Sequence, residues 1–198
     1  CPVGAFAGDT GANDILRCTA QIDDLAALEL ICPAHPEPAT GPAGIDAAIA
    51  PTGCLASLGP SAYASLAACG IPRVAVRLDA CAACPLGQVA ADIRQAIDRA
   101  RRVLAAWDLA GSVDIVAEGP LEDGQPRPVY PANRPPVSRR DLFRRFTSAP
   151  ARTIDEALLV DEGPSPARNR LPPERRRLLN ALDRLPPGLA DAPRRACS

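Results

Sequence analysis

Two cysteines stand two residues apart in Val74-Ala-Val-Arg-Leu-Asp-Ala-Cys81-Ala-Ala-Cys84-Pro-Leu-Gly87. Thiolates are soft ligands suited to zinc and iron–sulfur clusters, and a Cys-x-x-Cys turn delivers two of them to one centre. The same spacing also serves thiol–disulfide exchange, so the pair alone leaves both chemistries open. Cys32, in Ile31-Cys-Pro-Ala-His35, and Cys54, in Pro51-Thr-Gly-Cys-Leu55, share one property with the pair. Each falls at or just after the carboxyl end of an apolar, strand-like run. In an open parallel sheet those ends share one edge, where ligands bind. Cys32, Cys54, Cys81 and Cys84 are therefore expected to form the ligand set of one metal centre, with Cys54, Cys81 and Cys84 grouped and Cys32 next nearest. His35, the single histidine, is flanked by prolines and reads as a loop residue ahead of a ligand. Cys69, just before Gly70, reads as packing, as does Cys18, since free cysteine is often simply buried.

The elements that must position these thiols are legible as patterns. Runs rich in Val, Ile, Leu and Ala at 28–32, 47–51, 74–78 and 113–117 read as buried strands. Between the second and third, residues 60–69 open with proline, are alanine-rich and stop at glycine, as a helix does. Between the third and fourth, Val89, Ile93, Ala96, Ile97, Ala100 and Leu104 recur at helical spacing, with charges on the other face. Strand, helix, strand, helix, strand implies an α/β fold with a small, mostly parallel sheet of about four strands and flanking helices. Residues 15–28 read as a preceding helix, with a strand at 14–18 as the alternative. The Pro- and Gly-rich stretch 119–137 reads as a linker or long ordered loop. Beyond it a helical extension is expected, with short helices at 138–146 and 154–160 and a firmer one at 172–185. Ser138-Arg-Arg-Asp-Leu-Phe143 superficially resembles a twin-arginine export signal, but it is internal and no apolar segment follows. It reads as a docked helix burying Leu142, Phe143 and Phe146, and Arg175-Arg-Arg177 as a solvated helix face.

Composition narrows the function. The chain has 198 residues, enough to bury a substantial core, and a formal net charge of −1 that gives no reason to expect nucleic acid. No apolar run reaches the roughly 18 residues of a membrane span, and the N-terminal residues lack a signal peptide's pattern. Eight cysteines in motif-like spacing favour metal or redox use in the cytoplasm. The start at Cys1 rather than Met reads as that of a processed or excised piece. No GxSxG, P-loop or GxGxxG occurs, and a lone histidine argues against Ser–His or Cys–His catalysis.

Cys1-Pro2-Val3-Gly4-Ala5-Phe6 resembles the close of a bacterial-type ferredoxin motif, in which three cysteines precede Cys-Pro and a small-residue strand. Arg195-Ala-Cys197-Ser198 resembles the opening of a second such motif. The resemblance implies that Cys1 and Cys197 serve one [4Fe–4S] cluster, with an α/β domain at 15–118 inserted between the ferredoxin halves. The stretch from Leu28 to Gly87 resembles, more loosely, the delta-type iron–sulfur subunit of methyl-viologen-reducing hydrogenase, which also sets cysteines at successive strand ends. Cys32-Pro-Ala-His35, Cys54 and Cys81-Ala-Ala-Cys84 match it, with His35 departing from a cysteine pattern. These resemblances imply an electron carrier or oxidoreductase subunit serving a redox partner protein. The alternatives are a thiol–disulfide module using Cys81 and Cys84, or a docking domain whose cysteines only pack.

Overall fold

A computed structural model of the chain describes residues 10–117, 121, 124–134, 136, 171–183 and 185. Cys1, Cys197 and the expected helices at 138–146 and 154–160 lie outside the described residues. The elements are α1 (Thr10–Thr19), β1 (Ala27–Leu30), β2 (Thr40–Gly41), β3 (Ala47–Ala50), α2 (Pro60–Ala68), β4 (Arg73–Arg77), α3 (Ala90–Leu104), β5 (Val113–Ala117), β6 (Gln125–Pro126), β7 (Val129–Pro131) and α4 (Pro173–Leu182).

Five strands form one all-parallel sheet in the order β5-β4-β1-β3-β7, and β2 pairs with β6 in a short antiparallel ribbon. The α/β fold with parallel strands is thus as the sequence implies, with one strand more than expected. That strand, β7, lies inside the supposed linker. Pro128 and Pro131 disguise it, yet an edge position tolerates proline because one side needs no partner. Ala48 N–H donates to Pro128 O at 2.9 Å and Ala132 N–H to Ala50 O at 2.8 Å, which seals it onto β3.

Connection handedness decides what covers each face. The β3–α2–β4 and β4–α3–β5 crossovers run one way across the sheet, whereas β1 to β3 and β5 to β7 run the other way. Right-handed connections therefore place the two sets on opposite faces. Leu28, Leu30, Ile49, Val74, Val76 and Val113 pack in one core with residues of α1, α2 and α3. The opposite face carries Ala27 and Ala75 with Ile45, and the buried side chains of Glu29 and Arg77.

Helix α2 starts with proline in its first turn, ends before Gly70 at φ +91°, and is buried from Ser61 to Ala68. A helix apolar all round needs neighbours all round, and α2 is packed by α3, α4 and β4. Helix α3 is amphipathic and buries Ala90, Ile93, Ile97, Ala100 and Leu104. Helix α1 differs from expectation, running from Thr10 to Thr19 rather than over 15–28. Thr19 Oγ1 bonds back to Ile15 O at 2.8 Å, and Asp24 adopts φ +56°, so the chain turns before β1. Arg177 of α4 corrects another expectation. It is buried rather than solvated, and its Nε donates to Asn13 Oδ1 of α1 at 2.9 Å.

Candidate metal centre at the carboxyl edge

Strand β1 lies between β3 and β4, so the loops leaving these three strands are neighbours. Chain direction across the sheet reverses between β1 and β4, which makes their carboxyl ends a topological switch point. A cavity of about 770 Å³ opens there, lined in part by Cys32, His35, Thr40, Arg77, Asp79 and Cys84. Its size and place are those of a ligand site.

The Cys-x-x-Cys segment follows β4 as a 3-10 turn over Asp79–Ala83. Cys81 N–H donates to Leu78 O (2.9 Å), Cys84 N–H to Cys81 O (3.2 Å) and Gly87 N–H to Cys84 O (2.8 Å). The chain folds back tightly enough that a Cβ on Gly87 would collide with the Cys81 carbonyl oxygen. Leu86 N–H points at Cys84 Sγ, 3.4 Å away, a donor of the kind that tunes a metal-bound thiolate. A further 3-10 turn, Gly87–Val89, separates this segment from α3, so neither thiol sits at the amino end of that helix.

Burial pushes the Cys81 thiol up from its ordinary value, and Cys32, Cys54 and Cys84 push it further, in that order, against a smaller pull from Arg94. Cys32, Cys54 and Cys84 thus all lie within electrostatic reach of Cys81. Cys32 acts on Cys81 more strongly than Cys84 does, although Cys84 is its sequence neighbour. Cys54 begins the 3-10 turn Leu55–Ser57, where its carbonyl accepts Ser57 N–H (2.9 Å) and Ser57 Oγ–H (2.7 Å). It also acts on Tyr63, whose hydroxyl is raised by burial first and by Cys54 second. Among the described residues, no group of three or more His, Cys, Asp or Glu side chains is arranged to hold a single metal ion. Four thiolates on one tetrahedral zinc would stand about 3.8 Å apart, given Zn–S bonds of about 2.3 Å.

His35 has a different task. Its Nδ1 accepts Glu37 N–H at 3.0 Å, so the ring hydrogen resides on Nε2, which donates to Asp79 Oδ1 at 3.0 Å. With both nitrogens engaged, the ring offers no lone pair to a metal. Asp79 also accepts Ala80 N–H on Oδ1 (2.9 Å) and Arg77 Nε (2.9 Å) and Nη2 (2.7 Å) on Oδ2. Burial pushes its carboxyl up, but the hydrogen bonds from Arg77 and His35, with the Arg77 charge, outweigh this and hold it below its ordinary value. Arg77 Nη1 reaches the Thr40 carbonyl. Beneath this layer the Glu29 carboxylate is fully buried and paired through Oε2 with Arg127, which also donates to Pro38 O.

Arg77 and Asp79 did not stand out in the sequence, although charges closing the apolar strand Val74-Ala-Val were a usable signal, as was Glu29 within Ala-Leu-Glu-Leu. Cys18 is fully buried in the helix-side core, and burial pushes its thiol up to about 11, as packing requires. Cys69 packs, partly buried, against the same core. Among the described residues no helix is long and apolar enough to cross a membrane. No protein-family model, curated protein or solved structure matches the chain.

Proposed function

We propose that this chain is an iron–sulfur electron-transfer module in which Cys32, Cys54, Cys81 and Cys84 hold one cluster at the carboxyl edge of the sheet. The observation that carries the reading is geometric: the loops bearing Cys32, Cys54 and the Cys81–Cys84 pair leave three adjoining parallel strands at one edge, where Cys32 and Cys84 line the same cavity. Four neighbouring thiolates repel one another unless a cation neutralises them, and a thiolate donor set suits iron. When bound, such a cluster accepts and releases single electrons. The chain itself supplies the sulfurs, the Leu86 N–H directed at Cys84 Sγ, and partial burial, the features through which a protein sets a cluster's potential.

The ferredoxin-like sequence around Cys1 and Cys197 supports a [4Fe–4S] type and a neighbouring cluster in the same electron path. The partner is a redox protein or oxidoreductase subunit, and the compartment a reducing cytoplasm, where free thiols persist. A thiol–disulfide role for Cys81 and Cys84 is less well supported. An attacking thiol works through a lowered pKa, commonly at a helix amino end, whereas Cys81 is raised and the pair precedes a 3-10 turn.

Anaerobic reconstitution with iron and sulfide tests the reading. The expected product is brown, with a broad band near about 400 nm from thiolate-to-iron charge transfer that bleaches on reduction. Cys81→Ser is expected to lose most of the bound iron while Cys18→Ala keeps it. A colourless product whose Cys81 and Cys84 oxidise to a disulfide reversibly would establish the alternative instead.

A further inference from the structure

We propose that Asp79, His35 and Arg77 form a positioning clamp that sets the separation of Cys32 from the Cys81–Cys84 turn. The inference rests on reading the four thiols as one site, and it assigns the clamp no contact with the bound group.

Cys32 and the Cys-x-x-Cys turn belong to loops that leave different strands, and the sheet fixes only where those loops begin. Asp79 supplies the cross-tie. Each of its carboxylate oxygens takes two donors: His35 Nε2 and Ala80 N–H on one, Arg77 Nε and Nη2 on the other. The His35 bond spans 44 residues of sequence and joins the Cys32 loop to the residue two places before Cys81. His35 is in turn locked to the thiol's own turn, since its backbone N–H donates to Cys32 O at 3.0 Å. Glu37 N–H on Nδ1 orients the ring and fixes the tautomer that Asp79 needs.

Arg77 extends the tie to the far end of the same loop through the Thr40 carbonyl. Arg127 holds the adjoining carbonyls, with its backbone N–H on Ala39 O at 2.9 Å and Nη1 on Pro38 O. Pro33, Pro36 and Pro38 stiffen the segment between these anchors, because each fixes its own φ. The side chains of the clamp are themselves nearly fully buried, at 3% exposure for His35 and Arg77 and 9% for Asp79. Cys32, Cys84 and all three clamp residues border the same cavity. Removing a group that orients ligands typically weakens metal binding about 10–100-fold while leaving the ligands in place.

The decisive measurement is made on the iron-free full chain with dibromobimane, which bridges two thiols held within its short reach. Cross-linked peptides mapped by mass spectrometry report whether Cys32 is joined to Cys81 or Cys84. The wild type is expected to give that link. Asp79→Ala and His35→Ala should lose it several-fold with unchanged far-ultraviolet circular dichroism, and His35→Gln should restore most of it by donating again to Asp79. His35→Ala keeps the Arg77–Asp79 pair, so it reads the clamp even if Asp79→Ala does not fold. Equal yields in wild type and His35→Ala would overturn the proposal, as would a wild type that links only Cys81 to Cys84. Because the probe needs no iron, a normal cross-link pattern in a protein that binds no iron refutes the cluster reading alone. Full iron loading with a clamp-independent pattern refutes the clamp alone.

Discussion

At the scale of single residues, Gly87 and Cys18 show how backbone space and burial constrain the thiols. Gly87 lacks the Cβ that would strike the Cys81 carbonyl oxygen, an obstacle of rigid backbone rather than of a flexible side chain. Gly87→Ala is therefore expected to cost about 1–3 kcal/mol, the usual range for forced overpacking. Urea unfolding measures that cost, and a parallel fall in bound iron would show that the turn has shifted. Cys18 concerns pH. Its thiol is held up at about 11 by burial, against an ordinary value of 9.0. Between those values the folded chain keeps a proton that the unfolded chain releases, so this contribution to stability is intact below pH 9 and is lost as pH rises toward 11. Cys18→Ala should flatten that alkaline fall in urea midpoint, whatever its effect on the midpoint at neutral pH. Among the six described cysteines, exposed Cys84 should react with a thiol reagent first and buried Cys18 last in the native protein.

The elements are held together by polar ties as well as by apolar faces. Glu29 of β1 and Arg127, 98 residues later, make a buried ion pair that fastens the stretch between β6 and β7 to the face of the sheet opposite α1, α2 and α3. Gly41 makes room for it, since a Cβ there would meet the Arg127 guanidinium. Burial pulls the Arg127 pKa down, the mark of a cation held away from water. Removing one partner strands the other, so Arg127→Met should destabilise the protein by about 3–5 kcal/mol. The double variant Glu29→Leu, Arg127→Met should recover much of that loss, because a buried pair and its apolar replacement are often nearly equal in stability. Comparing urea midpoints of the single and double variants decides this. Equal losses in both would mean that the pair contributes through packing alone.

For the molecule as a whole, sheet order predicts which parts open last. Strand β1 is central and buried at all four positions, whereas β5 and β7 form the edges. Hydrogen exchange is expected to be slowest at the β1 and β4 amides and faster along β7, which among the described residues is paired on one side only. Slower exchange in β7 than in β1 would contradict the order. The same arrangement sets the loops that carry Cys32, Cys54, Cys81 and Cys84 side by side, because β1 lies between β3 and β4. Helices α1, α2 and α3 pack on one face, and the buried charges of Glu29, Arg77 and Arg127 gather on the other.

Four strands, α2, α3 and the helix at the end of the described chain were legible in the sequence because their signals are local: apolar runs, helical spacing, a proline at the start and a glycine at the end. The thiols' shared edge was legible too, since parallel strands must all point the same way. Strand β7 was hidden by prolines that only an edge position excuses, and nothing local to Pro-Val-Tyr-Pro says which edge it occupies. Whether Arg177 is solvated or buried depended on where α1 lies. The task of His35 was set by Asp79, 44 residues away, and that of Glu29 by Arg127, 98 residues away. Periodicity and turn chemistry are properties of neighbouring residues and can be read along the chain. The pairing of buried charges is a property of space, and only the tertiary structure decided it.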